Sequence, residues 1–315
     1  MEKRKLGNSG ISIAPLMFGG NVFGWTADEA MSFKLLDAFV GAGFDAIDTA
    51  DVYSKWVPGH KGGESETILG KWLKARGGRD KLIIATKVGM EMPGIGQGLR
   101  KDYILARVED SLKRLQTDYV DLYQSHTDDQ SAPLDETLGA YQKLIDQGKV
   151  RAIGASNYEA PRLAQALKAS AAARLPRYET LQPLYNLSDR EGFEKELQPL
   201  CVKENVGVIP YYALAAGFLT GKYRSEADFG KSPRGARMKA YLNDRGRRIL
   251  KALDDVAAGL KAKPGQVALA WLMTRPAITA PIASATSMAQ MEELIGAVRL
   301  KLGPDALKAL DAASA

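Results

Sequence analysis

Short apolar runs alternate along this chain with longer amphipathic segments. Eight of the apolar runs have the length and composition of β-strands, at residues 15–18, 44–48, 82–87, 120–125, 152–156, 180–182, 206–211 and 278–282. The segments between them predict helices at residues 28–40, 65–75, 101–115, 134–147, 159–172, 190–204 and 266–274. Such alternation is typical of parallel β/α units. Eight units, with no Gly-x-Gly-x-x-Gly turn after the first strand, favour an α/β fold of the (β/α)8 (TIM) barrel type over an open dinucleotide-binding sheet.

Three segments lie outside this repeat. A turn at Asn8, Ser9 and Gly10 separates two short alternating runs and predicts a β-hairpin over residues 3–13, placed to plug the bottom of the barrel. Residues 213–243 and 52–63 form long loops after two of the predicted strands. Loops of that length in a compact domain are usually functional, and we expect both at the barrel mouth. No linker-like stretch interrupts the chain, so we predict one domain over residues 1–315.

Composition indicates an ordinary globular protein. Of the 315 residues, 45% are hydrophobic and 25% are charged, which is the balance of a well-packed fold. The first ten residues have no apolar stretch typical of a signal peptide, and no run reaches the roughly 20 apolar residues of a membrane span. We therefore expect a cytoplasmic protein with no membrane association.

The residue types that commonly bind metals or nucleic acids are few in this chain or scattered along it. Cys201 is the only cysteine, and the two histidines, His60 and His126, do not have the spacing of a helical metal site. The net charge of +6 suits anionic ligands. Its densest cluster, within residues 245–251, is the pattern of a solvated helix face. We expect no metal and no nucleic-acid partner, and a monomer is the default.

Four ionisable side chains fall at or just after predicted strand ends: Asp48, Tyr53, Lys87 and His126. In a parallel barrel these ends share one mouth, where catalysis takes place. We expect Asp48 and Lys87 to pair, because a buried ammonium needs a counter-charge. A nearby ammonium favours the phenolate, so Lys87 is expected to lower the pKa of Tyr53 and make it a general acid, while a neutral His126 orients a carbonyl oxygen. In these roles the four residues include no nucleophile and no metal, so a proton donor of this kind needs a partner that supplies hydride.

The strings that carry these four residues are GFDAIDTADVY with Asp48 and Tyr53, IATKVG with Lys87, and YQSH with His126. With GGESETILG, which is similar to a GxSExxLG stretch, they resemble the aldo-keto reductase family in order and position. The resemblance covers essentially the whole chain. It implies a (β/α)8 barrel that binds a nicotinamide cofactor and uses an Asp, Tyr, Lys and His tetrad to reduce a small-molecule carbonyl substrate.

The same resemblance implies where the nicotinamide binds. The string GASN, which ends in Ser156 and Asn157, resembles a GxSN string that holds the nicotinamide carboxamide. Gln182 on the next strand matches the third polar contact. Tyr211 matches the aromatic residue that stacks on the nicotinamide ring.

The run YALAAGFLTGK resembles the loop that cradles the cofactor pyrophosphate. The resemblance implies backbone contacts in this loop from Ala213, Leu214, Gly217 and Leu219. Arg237, in SPRGAR, is the expected phosphate partner that closes the loop over the cofactor.

The adenosine end departs from the family pattern. The family usually places Lys or Arg at this turn to pair with the 2′-phosphate of NADP, whereas this chain reads ASATSMAQ. Ser284, Thr286 and Gln290 can still bind phosphate by hydrogen bonds at a helix N-terminus. Glu293 matches the acid that contacts adenine. The resemblance favours NADP(H), and NAD(H) stays open.

Two questions stay open at the level of sequence. Phe23, Trp25 and Trp56 either line an apolar substrate pocket or only cover the rim. The leading function is carbonyl reduction. The alternatives are a non-catalytic nicotinamide-binding regulatory protein, as in channel β subunits that resemble the family, and a Schiff-base lyase with Lys87 as nucleophile.

Overall fold

The strands form a two-stranded hairpin followed by an eight-stranded parallel sheet. The computed structural model describes all residues from 1 to 315. The hairpin pairs β1 (Arg4–Lys5) with β2 (Ser12–Ile13) in antiparallel orientation. The strands of the sheet are β3 (Met17–Gly19), β4 (Ala46–Asp48), β5 (Ile83–Val88), β6 (Val120–Ser125), β7 (Val150–Ser156), β8 (Tyr178–Gln182), β9 (Gly207–Val208) and β10 (Ile282–Ala283). From β3 to β9 each strand pairs with the next, and β10 pairs with β3.

Backbone hydrogen bonds between the segments that contain β9 and β10 close the sheet into a barrel. The Thr279 N–H donates to the Val208 carbonyl at 2.8 Å, and the Ile282 N–H donates to the Pro210 carbonyl at 2.9 Å. Every strand of the sheet therefore has two neighbours. The predicted (β/α)8 barrel is confirmed.

The two closing strands are shorter than predicted. The expected strand at 206–211 is reduced to β9, and the one at 278–282 is shifted to β10. Each predicted segment contains a proline, Pro210 or Pro281. Because proline has no N–H to donate to a ladder, neither predicted segment pairs regularly along its whole length.

Helices cover the outside of the barrel and alternate with the strands. They are α1 (Glu29–Gly41), α2 (Glu64–Arg76), α3 (Lys101–Leu115), α4 (Leu134–Asp146), α5 (Ala160–Ala173), α6 (Glu191–Glu194), α7 (Leu197–Glu204), α8 (Asp244–Leu260), α9 (Pro264–Met273), α10 (Met288–Ala297) and α11 (Pro304–Ser314). The seven predicted helical segments all contain helix, and α8, α10 and α11 were not among them. None of the helices is both long enough and apolar enough to cross a membrane.

The predicted helix at 190–204 is two helices, α6 and α7. Pro199 lies in the first turn of α7 and has no N–H to donate to the carbonyl of Lys195. A helix that continued from α6 would also place the proline ring against that carbonyl. The break therefore follows from one residue.

The basic cluster at residues 245–251 is only partly a solvated helix face. It lies on α8, where Arg247 and Lys251 pair with acidic residues of the same helix at the surface. Arg245 instead turns inward and donates to the backbone carbonyls of Ser188, at 2.8 Å, and Ser314. This arginine ties α8 to the end of α11, and both helices lie outside the eightfold repeat.

The hairpin seals the bottom of the barrel. Leu6, Ile11 and Ile13 are buried, and they pack with interior residues of the barrel strands such as Met17 and Leu122 into one apolar cluster. Burying apolar surface in this way stabilises the fold by about 25 cal/mol per Å². The plug predicted from the turn at Asn8 is therefore present, and solvent enters the barrel only from the opposite end.

We expect Ile13→Ala to lower the free energy of unfolding by about 3 kcal/mol, because it opens a cavity in a fully buried cluster. Urea denaturation followed by circular dichroism measures the loss. Ser12→Ala, at the neighbouring alternating position, is the control and should change the free energy by less than about 0.5 kcal/mol. Equal effects of the two substitutions would contradict a sealing role for the hairpin.

Candidate active site

A cavity of about 1070 Å³ opens at the carboxyl ends of the barrel strands. Small-molecule sites typically have volumes of about 300–1,000 Å³, so this cavity has room for a large ligand. The predicted site residues that line it are Asp48, Tyr53, Trp56, His126, Ser156, Asn157, Gln182, Tyr211, Ala213, Leu214, Gly217, Ser284, Thr286, Gln290 and Glu293. Side chains from most of the barrel strands and from the long loop after β9 therefore meet at one mouth.

Lys87 lies at the centre of the predicted tetrad. It is on β5, and none of its surface is exposed. Its Nζ donates to Asp48 Oδ2 at 2.7 Å, to the Thr49 carbonyl at 2.8 Å and to Tyr53 Oη at 2.8 Å. A neutral amine donates only two hydrogen bonds, so three acceptors select the ammonium form.

Asp48, the last residue of β4, accepts hydrogen bonds on both of its carboxylate oxygens. Its Oδ1 accepts from Gln182 Nε2 at 2.9 Å and from Gln124 Nε2 at 3.4 Å, while Oδ2 accepts from Lys87. The Tyr53 hydroxyl donates to the same Oδ2 over 3.3 Å, which is long for an O–H donor. The carboxylate is thus held by its neighbours without Tyr53, and the phenol can turn its proton towards the cavity.

The pKa of Tyr53 shifts in the direction opposite to our expectation. Burial, reinforced by the Asp48 carboxylate, raises the pKa of Tyr53 well above its ordinary value. Burial also lowers the pKa of Lys87, and Asp48 opposes that shift. Tyr53 therefore holds its proton at neutral pH, as a proton donor must.

His126 lies just beyond the end of β6 and is neutral at physiological pH. Burial, followed by the charge of Lys87, lowers the pKa of His126 well below its ordinary value. Its ring meets that of Tyr53 edge-on, with 5.9 Å between the ring centroids, and its Nδ1 has no partner in the protein. A neutral imidazole has one N–H donor and one acceptor, so this side chain can bind a polar ligand atom.

Hydrogen bonds connect the residues that are predicted to contact the nicotinamide. Ser156 Oγ donates to the Gln182 carbonyl at 2.9 Å, and the Tyr211 hydroxyl donates to Asn157 Oδ1 at 2.8 Å. Asn157 Nδ2 in turn donates to the His126 carbonyl at 2.9 Å. Asn157 has a φ of 56°, a left-handed conformation that few residues other than glycine adopt and that clusters at functional sites. These side chains are thereby placed in advance beside the tetrad.

The loop after β9 carries a second strained segment. Tyr212, Ala215, Ala216 and Gly217 have φ angles of 52°, 49°, 55° and 103°. Three successive left-handed residues turn the chain sharply at the cavity wall. The N–H groups of Gly217 and Leu219 both donate to the Leu214 carbonyl, at 2.9 and 3.2 Å, so the pyrophosphate contacts expected of these two residues stay a prediction.

The end of the cavity that is predicted to bind adenosine presents hydroxyl and amide groups. The backbone N–H and the hydroxyl of Thr286 donate to Gln290 Oε1, at 2.8 and 3.1 Å, at the start of α10. Ser284 lies beside them on the cavity wall. Glu293 accepts from Lys263 Nζ at 2.9 Å, so the acid predicted to contact adenine is paired with a lysine.

Five predicted site residues do not line the cavity: Phe23, Trp25, Lys87, Leu219 and Arg237. Phe23 and Leu219 are fully buried in the main core. Trp25 packs edge-on against Trp56, with 5.5 Å between ring centroids. Arg237 donates to the Tyr212 hydroxyl, because a 3₁₀ turn at Gly235–Ala240 carries it away from the cavity.

The arginine of this loop that lines the cavity is Arg234, which was not among the residues predicted from the sequence. Its guanidinium lies 5.0 Å from the ring centroid of Trp25, and its side chain makes no hydrogen bond or ion pair within the protein. Burial lowers the pKa of Arg234 from its ordinary value. Both arginines stand in SPRGAR, and only the path of the turn distinguishes them. Arg234 is therefore the arginine available to an anionic ligand.

The comparisons with known proteins agree with this geometry. The model of the aldo/keto reductase family matches residues 15–315. This chain belongs to the aldo/keto reductase family. It is 35% identical to the uncharacterized oxidoreductase YrpG of Bacillus subtilis, over 99% of this chain and 95% of that protein.

Two further relatives carry more specific names. The aryl-alcohol dehydrogenase [NADP(+)] of Phanerodontia chrysosporium is 30% identical, over 96% of this chain and 83% of its own length. A probable voltage-gated potassium channel subunit beta of Arabidopsis thaliana is 31% identical, over 95% and 91%. The reductase described here is an NAD(P)-dependent oxidoreductase that acts on small-molecule carbonyl compounds.

We expect Asp48→Asn to destabilise this reductase by about 3 kcal/mol, because it leaves the Lys87 ammonium buried without a counter-charge. The double variant Asp48→Asn/Lys87→Met should lose less than the sum of the two single variants, as measured by urea unfolding. The exposed pair of Lys251 and Asp255 is the control, and its double-mutant cycle should give about 0.5 kcal/mol or less. Additive losses at the buried pair would show that the two groups are not coupled.

Proposed function

We propose that this aldo/keto reductase reduces an aldehyde or ketone to the alcohol, or runs the reverse reaction, with Tyr53 as general acid or base. The observation that carries the proposal is the contact of 2.8 Å between Lys87 Nζ and Tyr53 Oη at the wall of the cavity. When bound, the nicotinamide cofactor supplies or accepts the hydride. Side chains of this protein bind and orient the substrate and transfer the proton.

The carbonyl oxygen is bound between Tyr53 and His126. Their ring centroids lie 5.9 Å apart on the same cavity wall, which is close enough for one oxygen to contact both side chains. His126, which is neutral, donates a hydrogen bond that orients the oxygen. Tyr53 then donates its proton as negative charge develops there, and the Lys87 ammonium stabilises the phenolate that forms.

The cavity next to Tyr53 suits a substrate with an apolar body. Val52, Trp56 and Met90 line it there. A bulky apolar group against these side chains excludes water from the reacting carbonyl, which strengthens the hydrogen bonds from Tyr53 and His126.

We expect Tyr53→Phe to lower kcat for aldehyde reduction at least about 100-fold, because general acid catalysis contributes roughly 10²–10⁴-fold. The Kd for NADPH, measured by quenching of tryptophan fluorescence, should stay within about twofold of that of the unmodified protein, since Tyr53 is placed against the substrate. Tyr103→Phe, whose hydroxyl contacts only the Gly96 carbonyl, is the matched control.

Near-normal turnover by Tyr53→Phe would overturn this proposal. Tight cofactor binding without oxidation across a panel of aldehydes would favour a regulatory role, in which case the relative named as a channel subunit would be the better guide. Covalent trapping of substrate on Lys87 by borohydride would favour a Schiff-base lyase instead.

We also infer that NADP(H) is the preferred cofactor. Three observations support this preference: the Thr286 and Gln290 side chains on the cavity wall, the N-terminus of α10 beside them, and a relative named as an NADP(+) enzyme. A helix N-terminus and uncharged hydrogen-bond donors stabilise a phosphate without a basic side chain.

Thr286→Glu places a carboxylate where the 2′-phosphate of NADPH is expected. Because like charges repel, the Kd for NADPH should rise about tenfold or more, while the Kd for NADH changes by less than about twofold. Fluorescence titration with both cofactors measures the ratio, and Thr286→Gln controls for side-chain size. Equal losses for the two cofactors would place the 2′-phosphate elsewhere.

A further inference from the structure

A carboxyl group without partners lies directly behind the tetrad. Asp51 follows β4 by three residues and is 1% exposed. Neither of its side-chain oxygens has a hydrogen-bond partner. An ionised carboxylate that is buried and unpaired costs several kcal/mol, so this position strongly favours the neutral acid.

The cations around Asp51 are already paired with other carboxylates. Arg114 of α3 donates from Nε to Glu66 Oε2 at 2.7 Å, and Glu66 Oε1 accepts from the Thr86 hydroxyl at 2.5 Å. All three Nζ protons of Lys87 are used by Asp48, Thr49 and Tyr53. The buried cluster thus holds three carboxyl groups and two cations.

Arg114 is packed against the backbone of Gly63 and paired with Glu66. Its side chain crosses the backbone of Gly63 so closely that a Cβ at this glycine would lie 2.5 Å from Arg114 Cδ. Gly63 also has a φ of 89°, which a larger residue tolerates poorly. Gly63 therefore leaves room for the arginine beside Glu66, and a larger residue there would displace it.

The other titratable groups that face Asp51 are Tyr103 and Arg114 of α3, Tyr123 of β6, Tyr141 of α4, Glu66 of α2 and Lys87 of β5. Burial raises the pKa of each of these three tyrosines, so they stay neutral. Burial, followed by the charge of Glu66, raises the pKa of Asp51 to about 8, while Arg114, the adjacent Val52 N–H and Lys87 oppose that shift. Asp51 is therefore the group of this cluster that changes its charge just above neutral pH.

We propose that Asp51 is a positioning residue that carries a proton in the active enzyme, and that its ionisation places a negative charge behind Lys87 and slows proton donation by Tyr53. With Asp51 neutral, the two cations balance Asp48 and Glu66. With Asp51 ionised, the cluster has an excess negative charge, which competes for the Lys87 ammonium and opposes the phenolate that develops on Tyr53 during reduction. This inference rests on the proposed role of Tyr53.

The pH dependence of aldehyde reduction tests the inference. Between about pH 6.5 and about pH 9.5, kcat of the unmodified enzyme should fall by about tenfold with an inflection near the pKa of Asp51. Over this range His126 stays neutral and Tyr53 stays protonated, because their pKa values are displaced below and above it. Asp51→Asn, which is permanently neutral and similar in shape, should keep the rate of the unmodified enzyme at the acidic end and lose the inflection.

Asp45→Asn is the matched control, because Asp45 is a buried carboxylate at the opposite end of β4 that accepts from the Ala14 N–H and pairs with Lys3. This variant should retain the inflection. An unchanged inflection in Asp51→Asn would overturn the inference, as would its loss in both variants.

A spectroscopic readout that needs no turnover separates this inference from the proposed function. A buried protonated carboxyl gives an infrared C=O stretch distinct from that of a carboxylate, and this band should be present at neutral pH, disappear above about pH 9, and be absent from Asp51→Asn. If Tyr53→Phe retains activity while the band behaves as expected, the proposed function fails alone. If Tyr53→Phe is inactive and the band persists in Asp51→Asn, the assignment of the proton to Asp51 fails alone.

The folding of Asp51→Asn is checked by its cofactor affinity. A correctly folded variant should bind NADPH with a Kd within about twofold of the unmodified enzyme, because Asp51 does not line the cavity. Asp51→Ala removes the charge but leaves a void. If only the alanine variant loses turnover at acidic pH, the void causes the loss and a neutral side chain of the right shape is sufficient, as proposed; if the asparagine variant loses it equally, the inference is overturned.

Discussion

The buried ammonium of Lys87 is the constraint on which the rest of the site depends. It has no exposed surface, and each of its three protons is donated to a different acceptor. Those acceptors come from the end of β4 and the loop that follows it, so one cation on β5 fixes the position of both. Removing a charge of this kind from water costs several kcal/mol unless its partners are in place, and folding of the barrel mouth is therefore coupled to assembly of the tetrad.

The two ends of the barrel differ, and this difference shields the Lys87 charge from solvent. Leu6, Ile11 and Ile13 seal the bottom with apolar side chains, whereas polar side chains at the strand ends face a single cavity at the top. In such an environment electrostatic interactions are stronger than in water. Interactions among Asp48, Lys87 and Tyr53 therefore act at close range, and solvent reaches them only through the cavity that also admits the ligand.

How much of this was predictable from sequence depends on the range of the interactions. The barrel and the convergence of Asp48, Lys87 and His126 follow from strand periodicity, because parallel strands in a closed sheet must all end at one mouth. Strand periodicity does not predict which of Arg234 and Arg237 reaches the cavity. Both lie in one short string, and a 3₁₀ turn decides which arginine faces the ligand site. That the Asp51 carboxyl lacks a partner could not be predicted from the sequence either. Its cause is the pairing of Arg114 with Glu66, on two helices elsewhere in the chain.

The raised pKa of Tyr53 changes how the tetrad is understood. From the sequence, we expected Lys87 to acidify the resting phenol, but burial and Asp48 outweigh that effect. A phenol that keeps its proton in the ground state remains able to donate throughout the physiological pH range. Lys87 then matters most when negative charge appears on Tyr53 Oη, 2.8 Å from its ammonium. Only interactions that are stronger in the transition state than in the ground state accelerate a reaction, so a lysine that leaves the resting phenol protonated is better placed for catalysis than one that ionises it in advance.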